Sequence, residues 1–416
     1  MAMTSTFSKR AAGQRLTQFV IEDAMRLRQR ANEGAFVVWI GVAVPAELFA
    51  GFDNVVYAVP ESHAALCAAK GVGAQQAEKA ERLGYSTDLC SYARIDLGTA
   101  FDGGNGSPIF GLPRPDLLVS DNNNCALLCK WFDVHHREWG VPHVVLDVPF
   151  CYERQQPADT AYIAAQLRDL VDTVAQLSGQ RFEIDRVREA VKHSCAALQL
   201  WKQFLDLARD RPAGISAFDS FVQMAPIVSA RGSERLVAHL QRLVEETRQQ
   251  IARGEFPVAD ERYRLLWDGI APWPQLRKMF GRLAAQGANV ISASYTYCIG
   301  SLEGEIALFA YHGEEPIDYL ARLQNATVCP QGMALRIAAM RRAISHYDVD
   351  GVIFASNRSC KVYSLMQIDQ MRRIREAVPI PCVMIDVDHA DARKYAEEAV
   401  FSRLEAFLES IDDARA

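Results

Sequence analysis

Apolar runs of strand length recur along the chain, and most are followed by a polar turn and a segment with helical periodicity. In the first half the runs are FVVWIGVAV from Phe36, NVVYAVP from Asn54, DLLVS from Asp116 and HVVLDVP from His143. In the second half they are RLLWDG, NVISAS, GVIFAS and CVMIDVD, between residues 264 and 388. Strands that alternate with helices form mostly parallel sheets covered on both faces. The pattern therefore predicts an α/β protein with two parallel-sheet domains.

A different pattern separates the two sets of strands. Segments such as DTAYIAAQLRDLVDTVAQL (159–177) and SERLVAHLQRLVEETRQQIARG (233–254) carry helical periodicity with charged faces. They predict a helical linker region between the two sheets. The predicted division is an N-terminal helical extension over 1–35, a first α/β domain over 36–155, a helical region over 156–260, and a second α/β domain with a C-terminal helix over 261–416.

Two of the predicted strands end in the same pattern of a polar turn, a cysteine and a helix. DLLVS leads into DNNNC, which ends at Cys125, and GVIFAS leads into NRSC, which ends at Cys360. Ligands of open parallel sheets bind beyond the carboxyl ends of the strands. A thiol at a helix N-terminus is expected to have a lowered pKa, and thiolate is the form that binds metal. Two facing domains of this kind predict a metal centre in the cleft between them.

Composition narrows the class of protein. The chain has 416 residues, half of them hydrophobic, and a net charge of -6 without any Lys- or Arg-rich block, so nucleic acid is not an expected partner. The apolar runs fall well short of the roughly 20 residues of a membrane span, and the N-terminal segment has no apolar core of a secretory signal. We therefore expect a soluble cytoplasmic protein without a membrane partner.

Ten cysteines require an explanation in a reducing compartment, where structural disulfides are disfavoured. Free cysteines are often small buried hydrophobic residues, and we expect that role for the four in apolar contexts. These are Cys67, Cys151, Cys195 and Cys382. The other six lie in or beside predicted turns, where ligands gather. The chain lacks the short CxxC or HxxxH spacings of zinc sites, so the spacing favours an iron–sulfur cluster without excluding zinc.

Three motifs resemble those of the 2-hydroxyacyl-CoA dehydratase and benzoyl-CoA reductase family. They are GYSTDLCSYARIDLG (84–98), SDNNNCALLCKWF followed by GVPHVVLDVPF, and SNRSCKVYS followed by the terminal RLEAFLE; PAEL (45–48) also resembles an early PxEL segment of the family. The resemblance implies two flavodoxin-like domains, a helical part, and a [4Fe–4S] cluster held by Cys90, Cys125 and Cys360. Three thiolates leave one iron open for a substrate.

The resemblance also implies the reaction and its partners. In the family's dehydratases a low-potential electron forms a ketyl radical of the acyl-CoA, which eases loss of a proton and the hydroxyl group. A separate ATP-hydrolysing activator protein delivers that electron, and this chain has no GxxxxGK[ST] loop of its own. The expected assembly is a homodimer or a heterodimer with a related subunit. The sequence leaves open dehydration or reduction, and an acyl-CoA or another small-molecule substrate.

Three further cysteines depart from the dehydratase pattern. Cys129 follows Cys125 by four residues on the same helix face, at about 5–6 Å between Cβ atoms, whereas Cys298 and Cys329 lie at predicted turns. A second set of three thiols resembles the family's double-cubane cluster proteins, homodimeric reductases with an [8Fe–9S] centre. This set therefore predicts a second cubane; the alternative is three unrelated buried thiols.

Two other residues are candidate catalytic groups. Glu47, in the PAEL segment, is expected either to meet the substrate or to cap a helix, and Ser91 is expected beside the ligand Cys90. Ser91 and its neighbour Tyr92 would supply hydrogen bonds that tune the cluster. An interpretation from another class is a non-catalytic bilobal protein that binds sugars or peptides, because two α/β lobes with a helical link also describe such modules.

Overall fold

Two four-stranded parallel sheets form the centre of the structure, a computed structural model that describes residues 11–297, 310–325 and 332–415. The first sheet contains β1 (Phe36–Ile40), β2 (Val55–Ala58), β3 (Leu117–Asp121) and β4 (His143–Leu146), and the second contains β5 (Tyr263–Asp268), β6 (Ala288–Ala293), β7 (Gly351–Asn357) and β8 (Cys382–Val387). Each strand coincides with one of the eight apolar runs, so the predicted fold class is confirmed. The predicted domain boundaries stay a prediction.

The two sheets share one topology. The strand order is β2-β1-β3-β4 in the first sheet and β6-β5-β7-β8 in the second, and every neighbouring pair is parallel. In both sheets the chain reverses its direction of winding between the two central strands. A crevice for ligands forms at such a switch point, outside the carboxyl ends of the strands. The first sheet therefore offers this crevice beyond β1 and β3, and the second beyond β5 and β7.

Helices cover both sheets and fill the segment between them. In chain order they are α1 (Ala11–Asn32), α2 (Pro60–Ala69), α3 (Gly73–Arg82), α4 (Ser91–Ala100), α5 (Ala126–Trp139), α6 (Pro157–Ser178), α7 (Ile184–Asp206), α8 (Ala217–Gln223), α9 (Ala225–Ser229), α10 (Glu234–Ala252), α11 (Leu276–Ala284), α12 (Ser294–Tyr297), α13 (Pro316–Asn325), α14 (Met333–His346), α15 (Lys361–Ser364), α16 (Gln367–Ala377) and α17 (Glu397–Arg415). Short 3₁₀ helices span Ala46–Gly51 and Ala392–Lys394. None of these helices is long and apolar enough to span a bilayer.

Burial explains why the strands appear in the sequence as continuous apolar runs. All five residues of β3 are buried, and so are all six of β5 and of β6. Successive side chains of a strand point to opposite faces, so a sheet covered on both faces buries every position. In β1, Val38 and Ile40 pack into one apolar cluster and Val37 and Trp39 into another. The edge strand β4 is only partly buried.

The first apolar run ends as a strand earlier than its sequence suggests. FVVWIGVAV predicts one strand of nine residues, but β1 ends at Ile40. The amide of Gly41 still bonds to the carbonyl of Val119 in β3, whereas the amide of Val42 bonds to the side chain of Glu61. Because a side chain takes over the amide at that point, the chain leaves the sheet and enters the 3₁₀ helix.

Candidate metal centre and adjoining cavity

Each of the three cysteines predicted to hold the cluster stands directly before a helix. Cys90 precedes α4, Cys125 precedes α5 and Cys360 precedes α15, and all three have non-helical backbone angles. Cys125 follows β3 and Cys360 follows β7, so both lie at the switch points of their sheets. The predicted position at the start of a helix is confirmed for Cys125 and Cys360.

The fold brings the three thiols to one apolar cluster that contains residues of both halves of the chain. We call this the central cluster; it includes Tyr92, Trp131, Phe132, Ile270, Tyr363 and Ala390. Cys90, Cys125 and Cys360 are all partly buried against it. The Cys90 thiol interacts electrostatically with that of Cys125, and Tyr92 interacts with both Cys90 and Cys360. Three residues from distant parts of the sequence therefore pack against one apolar cluster.

Burial has a larger effect on the pKa of two of the thiols than the helix N-terminus that follows each of them. Burial raises the pKa of Cys90 to about 12, although the backbone amides of Ala93 and Tyr92 act in the opposite direction. Burial likewise raises the pKa of Cys125, against the amides of Leu127 and Leu128. The lowering expected for Cys125 is therefore wrong, because the cost of a buried charge exceeds the contribution of the helix N-terminus. The helix amides nevertheless point at the sulfur atoms, as predicted.

Ser91 is fully buried in a hydrogen-bond network that connects the two halves of the chain. Its hydroxyl donates to Oδ1 of Asp388, and the hydroxyl of Ser359 donates to Oδ2 of the same carboxylate at 2.7 Å. The two hydroxyl oxygens are 2.8 Å apart. Ser91 follows Cys90 and Ser359 precedes Cys360, so Asp388 joins the backbone beside two of the three thiols.

A buried ion pair reinforces the same junction. Nη1 of Arg94 lies 3.0 Å from Oδ2 of Asp391, and both side chains are completely buried. Arg94 also bonds to Glu81, to the hydroxyl of Ser91 and to the carbonyl of Leu89. It therefore holds the two residues that flank Cys90 in place.

Glu47 faces a different part of the molecule. It lies in the 3₁₀ helix Ala46–Gly51 with 1% of its surface exposed, and its Oε1 accepts a hydrogen bond from Ser194 of α7 at 2.6 Å. Its Oε2 is buried without a partner among the described residues. The carboxylate thus joins the first sheet to the helical region, and its catalytic role stays a prediction.

Of the three additional cysteines, only Cys129 lies within the described residues; Cys298 and Cys329 lie outside them. The Cys129 thiol donates to the carbonyl of Asp121 at 3.4 Å and accepts from the Ser120 hydroxyl at 3.6 Å. It also interacts electrostatically with Cys125. Across residues 11–297, 310–325 and 332–415, no three His, Cys, Asp or Glu side chains are grouped closely enough to hold a single metal ion.

A cavity of about 1250 Å³ reaches from α1 and α2 to the central cluster. Tyr92, Trp273 and Tyr295 line it, and the same three side chains pack in or against the central cluster, beside the thiols. The indole of Trp273 donates to the hydroxyl of Tyr92. These aromatic rings therefore lie where the cavity adjoins the candidate metal centre.

Two buried carboxyl groups that sequence reasoning missed lie beside Cys125. Glu61 lines the cavity, and its Oε1 accepts the amide of Val42 at 3.0 Å; Oδ1 of Asp121 accepts the amide of Asn124 at 2.7 Å. The second oxygen of each carboxyl is buried without a partner among the described residues. Burial raises the pKa of Glu61 to about 7 and that of Asp121 to about 6. Both interact electrostatically with Cys125.

The sequence contained a signal for both carboxyl groups. Asp121 ends β3, and Glu61 lies in the first turn of α2, after β2, so both belong to the edge where ligands bind.

Other polar atoms of the cavity lining are also buried and unpartnered among the described residues, namely the Tyr57 hydroxyl, Nδ1 of His63 and Nε of Arg231. Such atoms equip a largely apolar cavity for a ligand that carries polar groups.

These observations define a two-sheet α/β protein with three thiols packed against one apolar cluster, two of them at the switch points of the sheets, and with an adjoining cavity. A sequence model described as "2-hydroxyglutaryl-CoA dehydratase, D-component" matches residues 41–411. The chain belongs to this family, and the prediction of an enzyme of the 2-hydroxyacyl-CoA dehydratase and benzoyl-CoA reductase type is confirmed.

Individual relatives resemble the chain over nearly its whole length. The alpha subunit of (R)-phenyllactyl-CoA dehydratase of Clostridium sporogenes is 29% identical over 95% of this chain and 93% of its own length. The alpha subunit of (R)-2-hydroxyisocaproyl-CoA dehydratase of Clostridioides difficile is 31% identical over 92% of each chain. One subunit of the benzoyl-CoA reductase of Thauera aromatica is 28% identical over 89% of this chain and 87% of its own.

Proposed function

We propose that this chain is the cluster-bearing subunit of a 2-hydroxyacyl-CoA dehydratase, with one [4Fe–4S] cluster held by Cys90, Cys125 and Cys360. The observation that carries the proposal is the meeting of these thiols at the central cluster, next to the cavity. Their donor set fits the group, since iron–sulfur clusters take thiolate ligands from scattered positions. Amides of the following helices act on two of the sulfur atoms and favour their ionised, ligating form.

When bound, the cluster supplies an iron with an open coordination position and a low-potential electron. The chain's own residues supply the enclosure for the substrate. Tyr92, Trp273 and Tyr295 form an apolar boundary beside the thiols, which excludes water from a reactive substrate. The cavity volume of about 1250 Å³ is ample for an acyl group with part of its thioester arm.

Glu61 is the proposed proton acceptor of the reaction. It lines the cavity, has a buried oxygen without a partner among the described residues, and is fixed by its bond to the amide of Val42. A general base works best when its pKa lies near the working pH, and burial raises the pKa of Glu61 to about 7. Loss of the hydroxyl group of a 2-hydroxyacyl thioester requires a proton to leave the neighbouring carbon, and this carboxylate would take it.

The names of the relatives support a proposal for the partners of the enzyme. Several are named as subunits, which supports a heterodimer with a related chain over a homodimer. A separate ATP-hydrolysing activator is proposed as the electron donor. The substrate class is an acyl-CoA, and the names of two relatives suggest (R)-phenyllactyl-CoA and (R)-2-hydroxyisocaproyl-CoA as first compounds to test.

The second candidate is a reductase with an [8Fe–9S] double-cubane centre, for which Cys129 is the relevant observation. This cysteine lies one helical turn after Cys125 on α5 and interacts with it electrostatically. Its thiol, however, already bonds to the carbonyl of Asp121 and to the hydroxyl of Ser120. As a ligand it would lose its proton and, with it, the bond to the carbonyl of Asp121, so we favour the single cluster.

Iron analysis of single Cys→Ser variants tests the proposed cluster. We expect about four irons per anaerobically purified wild-type chain and a loss of most of this iron in variants of Cys90, Cys125 and Cys360. Cys382→Ser is the matched control, because Cys382 is a buried thiol of β8 that bonds to the carbonyl of Ile380 and packs in a different apolar cluster. Full iron retention in all three ligand variants would refute the assignment.

Turnover measurements test the role of Glu61. The complete enzyme with activator, Mg-ATP and each of the two acyl-CoAs should lose about 100-fold or more in kcat when Glu61 is replaced by Gln, which is the usual range for a general base. Iron content should stay at the wild-type level. Glu33→Gln is the control, since Glu33 is exposed just after the end of α1. Unchanged turnover of Glu61→Gln would refute the proposed role of Glu61 as the base. Turnover of the enzyme with ATP but without the activator would refute the proposed need for a separate activator.

A further inference from the structure

His389 lies against the sulfur of Cys90 without belonging to the set of proposed ligands. Its Nε2 is 3.6 Å from the Cys90 Sγ, and the residue is completely buried. The two residues are 299 positions apart in the chain, so this contact exists only because the two halves of the molecule meet. An imidazole at this distance from sulfur is within range of an N–H···S hydrogen bond.

Several contacts fix the orientation of the His389 ring. The ring of Tyr92 meets it edge to face, with centroids 4.4 Å apart and an angle of 78°. The carbonyl of His389 accepts the amide of Trp273 at 3.1 Å. On its N-terminal side, Asp388 is held by Ser91 and Ser359, and this carboxylate also accepts the amides of Ala390 and Asp391. The ring therefore has little freedom to turn away from the sulfur.

The direction of the hydrogen bond follows from the chemistry of the two atoms. A thiolate that ligates iron has no proton to give, so Nε2 must carry the hydrogen and donate it. The other ring nitrogen, Nδ1, is buried and has no partner among the described residues. A ring nitrogen without a proton can remain buried and unpaired at a modest cost in free energy, whereas a buried N–H without an acceptor would cost more. Both considerations select the same tautomer.

We propose that His389 is a positioning residue of the cluster, whose Nε2–H donates to the Cys90 sulfur and raises the cluster's reduction potential. The inference rests on the proposed function, since it needs a cluster bound by Cys90. A hydrogen bond to a ligand sulfur stabilises the extra negative charge of the reduced form more than that of the oxidised form, which shifts the potential upward. Because the surroundings are apolar, water does not weaken the effect of this hydrogen bond on the potential.

The test is a redox titration, followed by EPR, of wild-type protein and of His389→Phe. Phe retains the ring that packs against Tyr92 but lacks the N–H. We expect wild-type iron content and a midpoint potential more negative by about 59 mV, a tenfold change in the one-electron reduction equilibrium. His389→Gln, which can still offer an N–H, should fall between the two. His239→Phe, on α10, is the control with unchanged potential.

The outcomes separate this inference from the proposed function. An unchanged midpoint in His389→Phe at full iron content would overturn the role of His389 and leave the cluster assignment intact. A wild-type chain that binds no iron would overturn both. Should the Phe variant fail to fold, His389→Met removes the same donor with a flexible side chain of similar size, and its midpoint decides the question by the same criterion.

Discussion

Replacement of Arg94 by Met should destabilise the protein through the buried pair with Asp391. Both side chains are completely buried, so the substitution leaves a carboxylate in a low-dielectric site with one cation fewer. Removal of one partner of a buried pair typically costs about 3–5 kcal/mol. Arg393 keeps its bond to Asp391 at 2.7 Å, so we expect the lower end, about 3 kcal/mol.

The pKa of Asp391 reflects the whole network of its partners, of which Arg94 is one. Its partners lower the pKa from 3.8 to about 2 against the effect of burial, with Arg393 contributing first and Arg94 next. A depression of nearly two units corresponds to about 2.5 kcal/mol of stability. Because the folded pKa lies below the unfolded one, this stability is present above about pH 4 and is lost as the pH falls towards 2. The difference between wild type and Arg94→Met should shrink over the same interval.

Urea unfolding, followed by circular dichroism from pH 7 down to the lowest pH at which the wild type is folded, measures both effects. The double variant Arg94→Met/Asp391→Asn should cost clearly less than the sum of the two single variants, because the partners form one network. Arg253→Met serves as control, since the Arg253–Glu255 pair is more than half exposed and should contribute little. A change in the free energy of unfolding below about 1 kcal/mol for Arg94→Met, or additive costs, would refute the reasoning.

Two further predictions concern the cluster type and the packing of α4. Cys129→Ser should keep the about four irons per chain of a single cluster; about eight irons in the wild type, reduced by this substitution, would instead establish the double-cubane centre. Gly98→Ala should lower the midpoint of thermal unfolding, because the added Cβ would lie 2.0 Å from the carbonyl oxygen of Gln76 in α3. The cost in free energy of unfolding should reach about 1–3 kcal/mol or more. Gly281→Ala is the control and should not destabilise, because Gly281 lies in a helix with open space around it. Equal unfolding midpoints for the two variants would contradict this account.

The sequence determined the elements and the edge at which the site forms. Strand and helix periodicities are local properties, and they located all eight strands because buried parallel strands are continuously apolar. The carboxyl-edge rule then placed Cys125 and Cys360 at the ends of β3 and β7, directly before helices. The largest difference in strand length is the early end of β1, which arises because Glu61 of α2 takes the amide of Val42.

The contacts between distant groups, and the depth of their burial, depend on long-range packing that leaves no local pattern in the sequence. The helix N-terminus predicts a lowered pKa for the Cys125 thiol, but burial raises it, since desolvation depends on the packing of the whole molecule. The approach of His389 to Cys90 likewise has no local signature, and neither does the Glu61 oxygen that has no partner among the described residues. Periodicity shows which face of a helix or strand is buried. Which residue packs against that face depends on how segments hundreds of residues apart come together.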